Sequence, residues 1–201
     1  MIQRASERAL RHRFGIAEIL ETIDVARKET NVPIVLFSYF NPLLQFGIEN
    51  LAAEAARAGV DGILVTDLVP EEAGDFHSSL RAHDLDMIFL LAPTSTDARL
   101  KMVAERASGF IYAVSRAGVT GARNEMSAEA ENLVKRVRKF SDLPVAVGFG
   151  ISKPDHVADV WRFADAAVVG SAIVQVIENE KKEDDLVKRV GQFTASLLPT
   201  T

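Results

Sequence analysis

Short apolar runs rich in valine, isoleucine and phenylalanine recur along this chain, each followed by an amphipathic helical pattern. Most runs are continuous rather than alternating, which is typical of parallel strands covered on both faces. They predict six strands, at Pro33–Phe40, Gly62–Thr66, Met87–Leu91, Phe110–Val114, Val145–Gly148 and Ala166–Val169. The helical patterns lie at Ile2–His12, Ile16–Thr30, Ile48–Ala58, Pro70–Ala82, Ala98–Ala107, Ala128–Phe140, Pro154–Phe163, Ser171–Glu180 and Asp184–Leu197. This alternation indicates an α/β protein with a parallel sheet.

Two architectures fit the alternation, a doubly wound open sheet and a (β/α)8 barrel. The doubly wound fold places a glycine-rich phosphate loop after its first strand. Here the first predicted strand is followed by Asn41-Pro42, which we interpret as a turn, and the glycines lie late in the chain. This order favours the barrel. No linker or low-complexity segment divides the sequence, so we expect residues 1–201 to form a single domain.

Composition excludes several classes of function. The formal net charge of -5 gives no basic surface for nucleic acid. The absence of cysteine excludes disulfides, a thiolate nucleophile and cysteine-bound metals. The histidines lack metal-ligand spacing, so we expect no metal site and a surface position for His12, His77, His83 and His156. No apolar run reaches the ~20 residues of a membrane-spanning helix, and the N-terminus lacks the apolar core of a secretory signal, so we expect a cytoplasmic protein with no membrane partner.

Three glycine-bearing stretches follow predicted strands in the second half of the chain. They are SRAGVTG at Ser115–Gly121, GFGIS at Gly148–Ser152 and GSAIV at Gly170–Val174. Glycine lets the backbone approach an anion closely, and the N–H groups at a helix start point toward it. Loops after strands 7 and 8 of (β/α)8 enzymes often bind a substrate phosphate. The last two stretches therefore predict a phosphate site, although a glycine after a strand can also form an ordinary turn.

If the loops after the last two predicted strands bind phosphate, these strands correspond to strands 7 and 8 of a barrel. The first predicted strand then corresponds to strand 3. A complete barrel typically needs ~250 residues, and this chain has 201. We therefore expect a (β/α)8 barrel that lacks strands 1 and 2, with six parallel strands and flanking helices.

Ordered motifs from Ile2 to about Glu178 resemble the tryptophan synthase alpha chain family. They are IQRASERAL (2–10), YFNPLLQFG (39–47), AGVDGILVTDLVPEE (58–72), FLLAPTS (89–95), GFIYAVSRAGVTGAR (109–123), VGFGISKPDHV (147–157) and VVGSAIV (168–174). The resemblance implies a (β/α)8 barrel that cleaves indole-3-glycerol phosphate to indole and glyceraldehyde 3-phosphate. It also implies a beta chain as partner in an αββα complex. Pyridoxal phosphate belongs to that beta chain, so the resemblance implies no cofactor for this chain.

The resemblance assigns roles to individual residues. Gly121, Gly150, Gly170 and Ser171 match the phosphate cradle. Residues matching the substrate pocket are Tyr112, Phe149, Phe37, Leu64, Thr66 and Leu90. Tyr39 is also placed at the substrate, although its apolar neighbours fit a core role equally well. Arg116 and Thr120 lie on a glycine-rich loop that the resemblance identifies as a lid, and lids need flexible backbone with few packed contacts.

One departure from the family concerns its chemistry. The family uses a glutamate at the end of strand 2 and an aspartate on the following loop, and neither has a counterpart in these 201 residues. Asp67 and Glu49 follow other strands and do not replace them. We therefore expect the phosphate half of the site without the proton-transfer half, and an inactive chain.

Two other functions stay open. The chain could be a non-catalytic module that binds a phosphorylated ligand or a beta chain. It could also be another phosphate-binding barrel, such as a relative of indole-glycerol-phosphate synthase, although SRAGVTG does not resemble that family's loop.

A barrel without two strands has two open edges, predicted here at Pro33–Phe40 and Ala166–Val169. Both segments are apolar and carry few of the charges that normally block edge pairing. We therefore expect self-association through these edges, or aggregation.

Overall fold

The computed structural model describes residues 2–12, 14–114, 123–148, 150–180 and 185–199 of the chain. Its strands are Val35–Ser38 (β1), Gly62–Val65 (β2), Asp86–Ile88 (β3), Leu90–Leu91 (β4), Ile111–Val114 (β5), Val145–Gly148 (β6) and Ala166–Ala167 (β7). Its α-helices are Ile2–Arg11 (α1), Ile16–Arg27 (α2), Phe40–Phe46 (α3), Ile48–Ala58 (α4), Gly74–Ala82 (α5), Asp97–Arg106 (α6), Arg123–Val137 (α7), Pro154–Trp161 (α8), Ser171–Glu180 (α9) and Leu186–Ser196 (α10). A 3-10 turn at Pro70–Glu72 precedes α5. The predicted helices are confirmed, with altered ends in all but α4 and α9.

The strands form a parallel sheet in the predicted order. β1, β2 and β3 pair in sequence, and so do β4, β5, β6 and β7. Only Phe89 separates β3 from β4, and its carbonyl accepts the N–H of Tyr112 at 3.0 Å. Residues 86–91 therefore join the two parts of the sheet and correspond to one predicted strand. The six predicted strands are confirmed, and the architecture is that of a partial (β/α)8 barrel.

Apolar side chains cover both faces of this sheet. The larger cluster packs between the strands and the helices and includes Ile63 and Ile111. A smaller cluster, here called the inner cluster, contains Leu64, Ile88 and Tyr112, which are buried on the opposite face. The rings of Phe37 and Tyr112 lie 6.1 Å apart, although three strand spacings, ~14 Å in a flat sheet, separate their strands. The sheet therefore curls around the inner cluster, as in a barrel.

Two aspartates at the strand starts help to set the register. Asp61 directly precedes β2, and its Oδ2 accepts the N–H of Ile34 at 2.7 Å, just before β1. Asp165 directly precedes β7, and its Oδ2 accepts the N–H of Val145 at 2.8 Å, at the start of β6. Each carboxylate satisfies a backbone donor where the pairing of neighbouring strands begins.

The prediction for the segment after the first strand is wrong. β1 ends at Ser38, and the residues predicted as the strand end and the Asn41-Pro42 turn form α3 instead. Pro42 lies in the first turn of α3, where a missing N–H removes no intrahelical hydrogen bond. The N–H of Phe40 donates to Oδ1 of Asp67 at 2.7 Å, and Leu43 is fully buried. An acceptor from a distant residue and a buried leucine therefore stabilise the helix.

Candidate functional site

The inner cluster forms an apolar wall near the carboxyl ends of the strands, where (β/α)8 enzymes place their sites. Tyr112 on β5 is 8% exposed and pairs in register with Leu90 of β4. Leu64 is buried beside it, and Leu90 packs against the same cluster. Phe37 contacts the Tyr112 ring from β1 and is 58% exposed. The structure thus brings these four predicted substrate residues together.

Tyr112 presents a protonated phenol at this wall. Burial raises the pKa of its hydroxyl above the ordinary value of 10.0. The group therefore stays a neutral hydrogen-bond donor near neutral pH, rather than a phenolate.

Gly148 and Ile88 belong to this wall. The sequence placed Gly148 only in the glycine-bearing stretch of the predicted phosphate site, and it assigned Ile88 no role. A Cβ at Gly148 would overlap the Tyr112 hydroxyl and lie 2.7 Å from its Cζ. Glycine at this position therefore makes room for the phenol. Ile88 is the third buried member of the inner cluster. The two-residue alternation that places Leu90 on the inner face would also have identified Ile88.

Thr66 and Tyr39 lie at strand ends beside the wall. Thr66 donates its N–H to the carbonyl of Ser38 at 3.0 Å and its hydroxyl to the same oxygen at 3.4 Å. Tyr39 is the N-cap of α3 and is 66% exposed. These two predicted substrate residues therefore lie outside the inner cluster.

The predicted phosphate residues of the last two strands lie at exposed backbone. Gly150 has a φ of 45°, a left-handed conformation that favours glycine. Gly170 precedes α9, and its carbonyl accepts the N–H of Val174 at 3.1 Å. The first N–H groups of α9, from Ser171 onward, therefore have no intrahelical acceptor and form a potential anion site.

The fold itself does not require glycine at position 170. No atom of the described structure lies within 4 Å of a Cβ built there, and its φ lies outside the left-handed range. Gly148, in contrast, is required by packing, and Gly150 by its φ. A ligand that approaches the backbone closely would also favour glycine. This reason remains for Gly170.

Part of the predicted site falls beyond the residues that can be described. Arg116, Thr120 and Gly121, on the predicted lid, and Phe149, on the predicted pocket wall, lie outside the described ranges. Asp67, an acid at a strand end, accepts the N–H of Phe40 as described above and serves as a helix cap.

The described ranges were assigned no membrane-spanning helix and no metal site by the sequence. Within them, no helix is both long and apolar enough to cross a membrane. Nor does this part of the chain contain a group of three or more His, Asp or Glu side chains that could hold a metal ion. The predicted surface position holds fully for His12, which is exposed, whereas His77, His83 and His156 are half-buried.

A family model described as tryptophan synthase alpha chain matches residues 1–197. The chain belongs to the tryptophan synthase alpha chain family. It is 47% identical over 197 residues to the alpha chain of Solibacter usitatus, covering 98% of this chain and 74% of that relative. The alpha chain of a Roseiflexus species is 46% identical, and the match covers 98% of this chain and 75% of that relative.

Solved structures of the family have the same fold. A tryptophan synthase α2β2 complex from Pyrococcus furiosus matches with a TM-score of 0.89 and 38% identity, covering 98% of this chain and 79% of that chain. The alpha subunit from the same organism matches with a TM-score of 0.88 and 36% identity, covering 98% and 78%. The chain is thus a member of a lyase family of tryptophan biosynthesis with the (β/α)8 barrel fold.

Proposed function

We propose that this chain binds indole-3-glycerol phosphate at the carboxyl ends of β5, β6 and β7. We further propose that it releases indole from this ligand far more slowly than longer members of its family. The observation that carries the proposal is the open, exposed Gly170 at the start of α9, where neither packing nor φ requires glycine.

The phosphate end of the ligand fits the start of α9. Free N–H groups and the helix dipole favour an anion there. Gly150 supports the same position, because its left-handed backbone leaves space for a ligand beside the adjacent strand. Ser171 adds a hydroxyl, which can donate to a phosphate oxygen.

The indole end fits the inner cluster. Tyr112, Leu64 and Leu90 form an apolar wall, and the exposed face of Phe37 can stack on the ligand. Tyr112 lies on β5, which pairs with β6, and β6 pairs with β7, the strand that precedes the anion site. This order suits a ligand with one aromatic and one anionic end.

The slow release of indole follows from the missing acid–base groups. The glutamate and aspartate that the family uses have no counterpart in this sequence. Removing a positioned general acid or base costs ~10²–10⁴-fold in rate. Asp67 does not substitute, because its carboxylate already caps α3.

A titration with glycerol 3-phosphate tests the binding half of this proposal. We expect saturable heat in the millimolar range and a weaker response to glycerol, which lacks the phosphate. The absence of saturation at millimolar glycerol 3-phosphate would refute the phosphate site.

Docking on a beta chain is a second candidate function. Three apolar side chains, Tyr39, Leu44 and Val69, are exposed near the carboxyl ends of β1 and β2, at 66%, 49% and 37%. The hydrogen bond from Phe40 to Asp67 ties α3 to the loop that carries Val69. Exposed apolar groups held together in this way favour a protein contact.

Co-elution with a beta chain tests this second function. We expect the parent chain to co-elute and Leu44→Asp to lose the interaction. Val187→Asp is the matched control, since Val187 on α10 is 87% exposed. Failure of the parent chain to co-elute, or equal loss in both variants, would reject this function.

A further inference from the structure

The helix that begins at the proposed phosphate site is poorly anchored by packing. None of the described side chains of α9 is buried. By contrast, α4 buries Leu51, Ala52, Ala55 and Ala58. The main helical neighbours of α9 are α1 and α10, and neither of them buries a residue. Several apolar side chains of α9, such as Ile173 and Val176, are only half-buried, so contacts with side chains of α1 can add to the packing that holds α9 in place.

A pair of arginines on α1 provides such a contact. Nη2 of Arg4 lies 3.1 Å from Oε2 of Glu178, and Nη1 of Arg8 lies 3.2 Å from Oε1 of the same side chain. Arg4 and Arg8 are one helical turn apart, so both project from one face of α1. Each carboxylate oxygen of Glu178 thus receives its own arginine, and we call these three residues the clamp.

Glu178 is better shielded than the acidic partner of each other ion pair given for the described residues, although the side chains of Arg4 and Arg8 are 65% and 37% exposed. The Glu178 side chain is 17% exposed, whereas the acidic partners in the other pairs are 39% exposed or more. The hydrogen bond from Arg4, with the charges of both arginines, holds the pKa of Glu178 below its ordinary 4.5 against an opposing effect of burial. Hydrogen bonds between charged groups are stronger than those between neutral groups.

We infer that Arg4, Arg8 and Glu178 are positioning residues for the phosphate site, an inference that rests on the proposed function. Glu178 lies seven residues after Ser171, which is about 10 Å along the helix axis. By fixing α9 at this point, the clamp sets the direction in which the N–H groups at the start of α9 point. The three side chains act through α9 and make no contact with the ligand themselves.

The variant Glu178→Gln distinguishes the positioning of α9 by the clamp from a direct electrostatic effect of Glu178 on the phosphate. It removes a negative charge, so electrostatic attraction alone would tighten the binding of a phosphate. Loss of the clamp should weaken that binding instead. We expect the Kd for glycerol 3-phosphate, measured by calorimetry on the whole chain, to rise roughly fivefold, as for the loss of a well-formed ion pair.

A double-mutant cycle and two further variants complete the design. Arg8→Ala should also raise the Kd, and adding Glu178→Gln should raise it little more, because both changes break one contact. Arg8→Lys keeps the charge and should bind more tightly than Arg8→Ala. Arg57→Ala is the matched control, because it breaks an exposed pair with Glu54 on α4 and should leave the Kd unchanged.

The outcomes distinguish the inference from the proposed function. Unchanged or tighter binding by Glu178→Gln, or fully additive losses in the cycle, overturns the inference while phosphate binding by the parent chain stands. No saturable binding by the parent chain overturns the proposed function, and the inference with it. If Glu178→Gln fails to fold by circular dichroism, Arg4→Ala decides, with a Kd above that of Arg57→Ala expected and an equal Kd contradicting the inference.

Discussion

At Gly170, a substitution is expected to weaken phosphate binding while leaving the free energy of unfolding nearly unchanged. A methyl group there meets no atom of the described structure, so Gly170→Ala should change the free energy of unfolding by less than ~0.5 kcal/mol. The same methyl group would block close approach of a phosphate, and the loss of one hydrogen bond to a charged group corresponds to a rise in Kd of roughly tenfold. Calorimetry with glycerol 3-phosphate and urea unfolding measure the two effects. An unchanged Kd would contradict the assignment of the cradle.

Gly148→Ala should show the opposite behaviour in its effect on stability. The added Cβ overlaps the Tyr112 hydroxyl and approaches its Cζ, so we expect a loss of ~1–3 kcal/mol in the free energy of unfolding. Tyr112→Phe in the same chain should recover only part of this loss, because the Cζ contact of 2.7 Å remains. No loss in the single variant, or no recovery on adding Tyr112→Phe, would show that the phenol does not pack on this glycine.

His77 should make the stability of the chain depend on pH. Burial of the ring, and then the charge of Arg81, hold the pKa of His77 below the ordinary 6.5, against the opposing effect of a hydrogen bond to the Arg106 backbone. The unfolded chain therefore binds a proton more readily, so its contribution to stability is fully present above 6.5 and decreases as the pH falls below it. Urea unfolding of His77→Gln should show a smaller decrease in stability between about pH 7 and pH 5 than the parent chain. Equal decreases in stability for His77→Gln and the parent chain would show that His77 does not cause this pH dependence.

At the residue level, the family resemblance assigned Phe37, Leu64 and Tyr112 to one pocket. In the structure the rings of Phe37 and Tyr112 lie 6.1 Å apart, and Leu64 is buried in the same cluster as Tyr112. Alternation along the strands does not reveal the role of Gly148, because that role depends on which side chain of a neighbouring strand reaches it. Likewise, the half-burial of His77 depends on how α5 packs against its neighbours, which a local pattern does not contain.

Among the helices, α3 depends most on a contact distant in sequence. Oδ1 of Asp67 accepts the N–H of Phe40 at the helix start. Asp67→Ala should lower the free energy of unfolding by ~1 kcal/mol, as the loss of a helix cap does. Asp67→Asn keeps an acceptor oxygen and should lose less. Equal losses in the two variants, measured by urea unfolding, would show that the hydrogen bond does not stabilise α3.

This dependence explains why α3 could not be predicted. The segment FNPLLQF contains four residues with poor helix propensity and closely follows a strand. Its helix forms because Asp67, 27 residues away, supplies an acceptor and the interior supplies a site for Leu43. By contrast, α4 and α9 were predicted with their observed bounds. Apolar periodicity marks both helices, glycines flank both ends of α4, and Gly170 marks the start of α9.

For the whole molecule, strand number and order were predictable from the repeated strand–helix pattern, since parallel strands joined by helices follow chain order. The pattern does not show how exposed the edge strands of the sheet are. Within the described residues β1 pairs only with β2, and Phe37 on β1 is 58% exposed. A strand with an unpaired side can recruit another strand.

Self-association through β1 is therefore expected. Sedimentation should show a mass that rises with concentration, and Phe37→Lys should reduce the rise, because a charge on an edge strand opposes pairing. Val25→Lys is the matched control, since Val25 on α2 is 60% exposed and lies away from the sheet edge. A monodisperse monomer, or equal effects of the two variants, would reject association through this edge.

This chain is proposed to bind the family's substrate and to release indole from it far more slowly than longer members of the family. The most direct test is indole release from indole-3-glycerol phosphate, measured beside a longer alpha chain of the family under saturating substrate. We expect a rate lower by ~10²–10⁴-fold, as for the loss of a positioned acid or base. Indole release within tenfold of the longer chain would contradict the claim.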